Sequence, residues 1–147
     1  MKLNKDLREF IALLNSTKVK YLIVGGHAVA FHGRPRFTGD FDFFVERSEE
    51  NASRIAEVIS AFGFASLGLK AEDFLEAGIV VQLGRPPNRI DLLTSIDGVE
   101  FSAAWERKVE GKLDGIPAYF IGKQELLANK RATGRPQDVA DAAELDS

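Results

Sequence analysis

The sequence contains no cysteine, only two histidines and no long hydrophobic run. The lack of cysteine excludes disulfide bonds, thiolate metal sites and cysteine nucleophiles, and two histidines alone are too few for a typical zinc site. No apolar segment approaches the ~20 residues that a transmembrane helix needs, and no secretory signal is visible. We therefore expect a soluble cytoplasmic protein that does not associate with membranes.

A strong net charge is also lacking. The chain has 19 Lys and Arg residues against 22 Asp and Glu residues, which gives a net charge of -3. This balance argues against broad, sequence-independent binding of nucleic acid, so RNA is not the favoured partner, although a local basic patch would still permit it. With 147 residues, of which 45% are hydrophobic, the chain can form one globular domain over residues 1–147 and has little room for a second.

Hydrophobic periodicity predicts alternating helices and strands without internal repeats. The pattern indicates a single α+β domain of α/β-like character, in which helices flank a mixed central sheet. We expect the last strand at a sheet edge, because Pro117 cannot donate a hydrogen bond to a neighbouring strand. The predicted helices cover residues 3–14, 27–31, 48–62, 71–77, 124–132 and 136–145, and the predicted strands cover 19–24, 40–45, 79–83, 89–93 and 116–121.

A glycine pair ends the first predicted strand. The β-branched and aromatic run over residues 19–24 stops at Gly25-Gly26, and residues of helical composition follow. Because glycine has no Cβ, an anion can approach the backbone closely, and the free N–H groups at the start of a helix favour negative charge. The turn therefore predicts a phosphate-binding loop.

Two aspartates interrupt the next predicted strand. Asp40 and Asp42 should project from one face, and Phe41 and Phe43 from the other. Two carboxylates ~4 Å apart repel by about 4 kcal/mol at an effective dielectric constant of 20, so a proton, a basic neighbour such as Arg36 or a divalent cation should offset the repulsion. Oxygen ligands favour Mg²⁺ or Mn²⁺ over zinc. The pair could instead be two solvated aspartates without a function, but aspartate is uncommon in apolar strands.

A third aspartate, Asp91, interrupts the apolar strand over residues 90–93. Alone, it would be interpreted as a strand-end residue that faces solvent. If its strand is a neighbour of the strand that carries Asp40 and Asp42, three carboxylates converge beside the glycine turn. Such an arrangement can hold two divalent ions for an in-line attack on phosphorus, and the register of the hairpin decides whether it forms.

These residues, in this order, resemble the signature of a known superfamily. Gly25-Gly26, then Asp40-x-Asp42, then Asp91 on a later strand is similar to the motif set of nucleotidyltransferases with the DNA polymerase beta-like fold. The segments over residues 25–42 and 126–141 resemble small bacterial and archaeal nucleotidyltransferases, including abortive-infection toxin-like members. The resemblance spans about residues 19–145.

The resemblance implies transfer of a nucleoside monophosphate from a nucleoside triphosphate to an acceptor. By motif position, Gly25 and Gly26 would hold the triphosphate, Asp40 and Asp42 would ligate both Mg²⁺ or Mn²⁺ ions, and Asp91 would complete the site of the ion that activates the acceptor. The residue chemistry agrees, because phosphoryl transfer depends mainly on positioning and charge neutralisation.

Three further residues are candidate phosphate ligands. Arg36 and Thr38 could contact phosphate oxygens, although Arg36 could equally balance the negative charge nearby. In similar proteins a lysine at the position of Lys130 reaches the nucleotide phosphates; the alternative is a solvated helix lysine. By contrast, we interpret Arg135, Asp138 and Asp141 as helix-terminal charges or surface ion pairs outside any site.

The acceptor is the least defined part of this prediction. Larger nucleotidyltransferases carry a helical C-terminal domain that binds the acceptor or the base, whereas this sequence ends in two short helices. A protein partner, a homodimer or a bound small acceptor could take that role. This protein could, for example, be the toxin-like half of a two-protein module. The alternative is a catalytically silent nucleotide-binding or regulatory module, but such a module has no need to keep three mutually repelling carboxylates.

Overall fold

The computed structural model describes residues 3–33, 39–85 and 88–147. In these ranges six α-helices flank one six-stranded mixed sheet, which confirms the predicted α+β architecture. No helix in these ranges is both long and apolar enough to cross a membrane. The helices are α1 (Lys5–Ser16), α2 (Gly25–Phe31), α3 (Glu49–Ile59), α4 (Phe101–Glu106), α5 (Lys123–Thr133) and α6 (Pro136–Asp146), and the strands are β1 (Tyr21–Val24), β2 (Phe41–Val45), β3 (Val80–Leu83), β4 (Ile90–Leu93), β5 (Val109–Leu113) and β6 (Ile116–Phe120).

The sheet has the strand order β3-β4-β2-β1-β6-β5. Strand β2 is antiparallel to β1 and parallel to β4, and β3 and β4 form the antiparallel hairpin that the sequence predicts. The strands that carry the three predicted site aspartates are therefore direct neighbours.

Each face of the sheet has its own hydrophobic core because side chains alternate along the strands. Phe41 and Phe43 pack in the core that α1 and α3 cover. Phe44 packs in the other core, which contains residues of α2, α4, α5 and α6. The same alternation directs Asp42 and Asp91 towards the second face, where α5 and α6 lie.

Local sequence signals set the start of the long helices. The Asn4 side chain accepts a hydrogen bond from the backbone N–H of Leu7 at 2.8 Å and begins α1, and the hydroxyl of Ser48 accepts one from Asn51 N–H at 3.1 Å and begins α3. The helix predicted over residues 71–77 is only a short 3₁₀ turn, Ala71–Phe74.

The expectation that residues 116–121 form an edge strand is wrong. Strand β6 lies between β1 and β5, but its ladder with β1 involves only its C-terminal end, where Phe120 is level with Ile23. The missing N–H of Pro117 therefore leaves no gap in that ladder, and the Pro117 carbonyl accepts a hydrogen bond from the Asn15 side chain at 2.7 Å.

The edge strand on that side is β5, which the sequence analysis missed. Gly111 and charged neighbours weaken its strand signal. The glycine has a packing role, since a Cβ there would lie 2.6 Å from the ring of Phe31. Phe31 in turn stacks on Phe120, with ring centroids 3.9 Å apart.

Candidate active site

The structure brings the three predicted aspartates together at one end of β2 and β4. Asp42 is level with Asp91 in the parallel ladder between these strands, and level with Val24 on the β1 side. Asp40 precedes β2, and its Oδ1 accepts a hydrogen bond from the backbone N–H of Arg89 at 3.0 Å. We call Asp40, Asp42 and Asp91 the acidic cluster.

Protonation of Asp42 offsets part of the repulsion within the acidic cluster at mildly acidic pH. Burial, then the charge of Asp91, a hydrogen bond between these two carboxyl groups and the charge of Asp40 together raise the pKa of Asp42 to about 6, although the charge of Arg89 opposes them. A hydrogen bond between two carboxyl groups requires a proton on one of them. Below about pH 6 Asp42 therefore holds a proton against Asp91, and at neutral pH it is mostly ionised.

Arg89 is the basic neighbour that offsets the repulsion among the three carboxylates. Its Nε donates to Oδ1 of Asp91 at 2.7 Å and its Nη2 to Oδ2 at 3.1 Å, while Nη2 also lies 3.6 Å from Oδ2 of Asp40. The sequence analysis missed this residue, although its position two residues before Asp91 places both on one face of the chain. Arg36, named in that role, lies outside the described residues, as does Thr38.

The predicted glycine turn lies directly beside Asp42. Strand β1 ends at Val24, as the sequence predicts, and α2 begins at Gly25, two residues before the predicted helix start. Gly25 has a φ of +70°, and a Cβ there would overlap Oδ2 of Asp42. The absence of a side chain at Gly25 therefore lets the carboxylate approach the backbone of the turn.

The glycine turn and Asp42 of the acidic cluster border a cleft between the sheet and the α5–α6 pair. Its volume is about 500 Å³, which lies within the usual range for small-molecule and cofactor pockets. Its polar lining residues are Gly25, Gly26, Asp42, Ser95, Asp97, Asn129, Lys130, Thr133, Arg135, Gln137, Asp138 and Asp141.

Lys130 lies in the wall of this cleft and is 8% exposed, so it is not a solvated helix lysine. Its Nζ lies 3.0 Å from Oδ1 of Asp138 and 3.4 Å from Oδ2 of Asp141. The interpretation of Asp138 and Asp141 as surface charges is therefore wrong, because both are buried around the lysine. We call Lys130, Asp138 and Asp141 the Lys130 cluster.

Asp138 accepts hydrogen bonds from Lys130, Thr133 and Arg135. Burial opposes its ionisation, but hydrogen bonds from Thr133 and Lys130, the charge of Lys130 and a hydrogen bond from Arg135 lower its pKa below the usual value. Arg135 Nε donates to Oδ2 of Asp138 at 2.7 Å. Spacing alone could not reveal this role, because the same spacing is common on exposed helices.

The described lining of the cleft carries four carboxylates, Asp42, Asp97, Asp138 and Asp141, against two cationic side chains. A triphosphate would therefore meet excess negative charge unless divalent cations accompanied it. The oxygen-only donors of the acidic cluster suit Mg²⁺ or Mn²⁺. In the described ranges no three His, Cys, Asp or Glu side chains are already arranged as metal ligands, and both oxygens of Asp91 accept hydrogen bonds from Arg89.

One buried histidine accompanies the site. The ring of His27 stacks on Phe41, with ring centroids 3.4 Å apart, and its Nε2 is buried without a hydrogen-bond partner among the described residues. Burial lowers the pKa of His27 to about 4. The imidazole is therefore neutral at physiological pH.

No protein-family model matches the sequence, and no curated protein matches it. Solved structures do match. A proposed nucleotidyltransferase from Thermotoga maritima aligns with 95% of this chain and 88% of its own at 18% identity and a TM-score of 0.57. An antigenic nucleotidyltransferase-like protein from Paracoccidioides brasiliensis aligns with 95% of this chain and 74% of its own at 16% identity and a TM-score of 0.53. The chain therefore has the nucleotidyltransferase fold that its glycine and aspartate motifs predict.

Proposed function

We propose that this protein is a Mg²⁺- or Mn²⁺-dependent nucleotidyltransferase that transfers a nucleoside monophosphate group from a nucleoside triphosphate to an acceptor. The observation that carries the proposal is the convergence of Asp40, Asp42 and Asp91 beside the Gly25 turn, where Asp42 lines a cleft of about 500 Å³. In the reaction, the acceptor oxygen bonds to the α-phosphorus as the bond to the bridging oxygen breaks, and pyrophosphate leaves.

Each residue of the site has a distinct role in this proposal. Gly25 and Gly26 present an open backbone to the triphosphate, Asp40 and Asp42 hold both metal ions, and Asp91 holds the ion on the acceptor side. When bound, the metal ions neutralise phosphate charge and make the acceptor oxygen a better nucleophile. Asp91 lies on that side and can accept the proton that the acceptor hydroxyl loses.

Lys130 is the proposed cationic contact for the phosphates. Its Nζ lies between two buried carboxylates, which fix the long side chain in the cleft wall. A lysine fixed in this way loses little conformational entropy when it binds an anion. Arg36 and Thr38 remain proposed phosphate contacts on the sequence motif alone.

A labelling experiment tests this proposal. The wild-type protein is incubated with each α-labelled nucleoside triphosphate, Mg²⁺ and cell lysate, beside the Asp42→Asn variant. The matched control is Asp146→Asn, because Asp146 pairs with Arg131 on the exposed surface of α6 and α5. We expect label transfer by the wild type and by Asp146→Asn only; equal transfer by Asp42→Asn contradicts a catalytic role.

The same experiment identifies the acceptor class. A protein, an RNA or a small molecule is each chemically compatible with the reaction, and digestion of the labelled product with protease or ribonuclease separates them. A cytoplasmic setting, a protein partner or homodimer that completes the acceptor site, and a toxin-like role in a two-protein module rest on the sequence alone.

One observation favours a second candidate, a silent nucleotide-binding or regulatory module. Arg89 pairs with Asp91 and Lys130 pairs with Asp138 and Asp141, so part of the site's negative charge is already balanced within the protein. Calorimetry separates the two candidates, because a silent module would bind nucleotide equally well with and without Mg²⁺, whereas the enzyme requires the ion.

A further inference from the structure

The Arg89 side chain supplies a positive charge in direct contact with the acidic cluster. Its guanidinium group donates to both oxygens of Asp91, at 2.7 and 3.1 Å, and approaches Asp40 at 3.6 Å. The Asp91 side chain is only 11% exposed, so solvent screens this ion pair weakly. A two-point contact of this kind is among the stronger hydrogen-bonded ion pairs in proteins.

We infer that Arg89 is an internal counter-ion that competes with divalent cations for Asp91 and keeps their affinity low until nucleotide binds. This inference rests on the proposed function, in which Asp91 is a metal ligand. It adds a determinant of metal affinity that neither the motif nor the fold assigns.

The geometry gives the competition its physical basis. The guanidinium group and a divalent ion both need the carboxylate oxygens of Asp91, and their like charges repel each other. The metal ion must therefore displace at least one of the two hydrogen bonds from Arg89. A nucleotide adds negative phosphate oxygens that hold the ion as well, so the ion displaces Arg89 more readily when nucleotide is present.

The backbone of Arg89 is engaged separately from its side chain. Its N–H donates to Asp40 at 3.0 Å, and this contact does not depend on the guanidinium group. A substitution of the side chain therefore leaves the link between Asp40 and the start of β4 in place. This separation makes Arg89 suitable for a test by substitution.

A different role for Arg89 predicts the opposite result. If the guanidinium group orients Asp91 as a metal ligand, its removal should weaken metal binding, as loss of such supporting contacts typically does by about 10- to 100-fold. Competition instead predicts that its removal strengthens metal binding. The sign of the change decides between the two roles.

The test is a Mn²⁺ titration of the full chain, with free Mn²⁺ followed by electron paramagnetic resonance at pH 8, with and without nucleoside triphosphate. We compare wild type with Arg89→Gln, which removes the charge, and Arg89→Lys, which keeps the charge but loses the two-point contact. Arg54→Gln is the matched control, since Arg54 pairs with Glu50 within α3. Circular dichroism checks that each variant is folded.

Without nucleotide, we expect Arg89→Gln to bind Mn²⁺ about tenfold more tightly than wild type, with Arg89→Lys between them and Arg54→Gln unchanged. The gain should disappear when Asp91→Asn is added. If Arg89→Gln does not fold, the Arg89→Lys comparison decides the sign.

Two outcomes overturn the inference in distinguishable ways. Equal or weaker Mn²⁺ binding by Arg89→Gln, with wild type still binding Mn²⁺ in the presence of nucleotide, overturns the inference and leaves the proposed function standing. If no variant binds Mn²⁺, even with nucleotide, the inference and the proposed metal-dependent function both fail.

Discussion

At the scale of single residues, the site combines groups that would be costly anywhere else in a fold. The pKa of Asp42 beside Asp91 is raised to about 6, and the buried Nε2 of His27 has no hydrogen-bond partner among the described residues. An unpaired buried polar atom costs about 1–3 kcal/mol. Such costs are concentrated at functional sites, because selection for chemistry there outweighs selection for stability.

The first prediction concerns Gly25. Gly25→Ala should destabilise the fold by about 2–4 kcal/mol, because a Cβ at a positive φ is strained and would overlap the Asp42 carboxylate. The matched control is Gly68→Ala, since Gly68 has a φ of +67° with no atom within 4 Å of an added Cβ, and should cost only about 1 kcal/mol. Urea denaturation measures both values; equal costs would show that the contact with Asp42 is unimportant.

The second prediction concerns pH. The pKa of His27 is lowered from 6.5 to about 4 in the folded protein, so the folded state resists protonation of this ring. The neutral ring contributes its full stability above pH 6.5, and this contribution is lost as the pH falls towards 4. His27→Phe keeps the stacking on Phe41 and removes the titration.

Thermal melts between pH 7.5 and pH 4 measure this effect. The wild type should lose stability with decreasing pH more steeply than His27→Phe, because only the wild type has the His27 ring to protonate. The other titrating groups are common to both proteins and cancel in the comparison. Parallel profiles would contradict the assignment of a neutral buried His27.

At the scale of secondary-structure elements, the Lys130 cluster joins α5 to α6 and forms one wall of the cleft. The lysine comes from α5 and both carboxylates from α6. Thr133 and Arg135, at the end of α5 and before α6, also donate to Asp138. The cluster therefore fixes the angle between the two helices as well as the position of the lysine.

The third prediction separates this buried cluster from surface ion pairs. Lys130→Met should destabilise the protein by about 3–5 kcal/mol, because two buried carboxylates lose the cation that they share and, among the described residues, Asp138 keeps only the exposed Arg135 as a cationic partner. The control Arg131→Gln removes an exposed pair with Asp146, both side chains more than half exposed, and should cost less than about 1 kcal/mol. Chemical denaturation of both variants tests the difference, and similar costs would refute a structural role for the cluster.

The sequence predicted the elements whose signal is local. The alternation of aspartate and phenylalanine in β2, the N-cap at Ser48 and the glycine turn each depend on neighbouring residues, and all were confirmed. Strand β5 was missed because Gly111 serves a distant partner, Phe31. The position of β6 inside the sheet depends on which strands pair with it, and strand pairing cannot be inferred from a local sequence pattern.

In the candidate site, too, local sequence patterns predicted some features, whereas others depend on tertiary contacts. The residue types of the acidic cluster indicated one site, but the distance between its carboxylates depends on the strand register, which places Asp42 level with Asp91. The partners of Asp91 and Lys130 are tertiary contacts, so Arg89 and the burial of Asp138 could not be inferred from spacing.

At the scale of the whole molecule, stability and function should oppose each other at the cleft. The described lining has four carboxylates against two cations, and the adjacent acidic cluster adds Asp40 and Asp91 against Arg89. The protein alone therefore carries unfavourable negative charge that divalent metal ions would relieve. Changes that reduce this charge should stabilise the free protein and weaken binding.

The fourth prediction uses Asp42→Asn to show both effects in one protein. At pH 7.5, above the pKa of about 6, wild-type Asp42 is mostly ionised beside Asp91. The neutral amide removes this repulsion and can still donate to Asp91, so the variant without ligands should be more stable by about 1–2 kcal/mol. Thermal melts without metal or nucleotide measure this gain.

The same variant should respond less to ligand. Saturating nucleoside triphosphate with Mg²⁺ should stabilise the wild type by about 3 kcal/mol at 100 times the dissociation constant, and nucleotide alone should give much less because the cleft carries excess negative charge. Asp42→Asn should show little stabilisation under either condition, since it lacks a carboxylate that holds the ions. The melting temperatures of the two proteins should therefore change order when Mg²⁺ and nucleotide are added. If the variant keeps the full ligand-induced shift, Asp42 is not a metal ligand, and the negative charge of the cleft has another purpose.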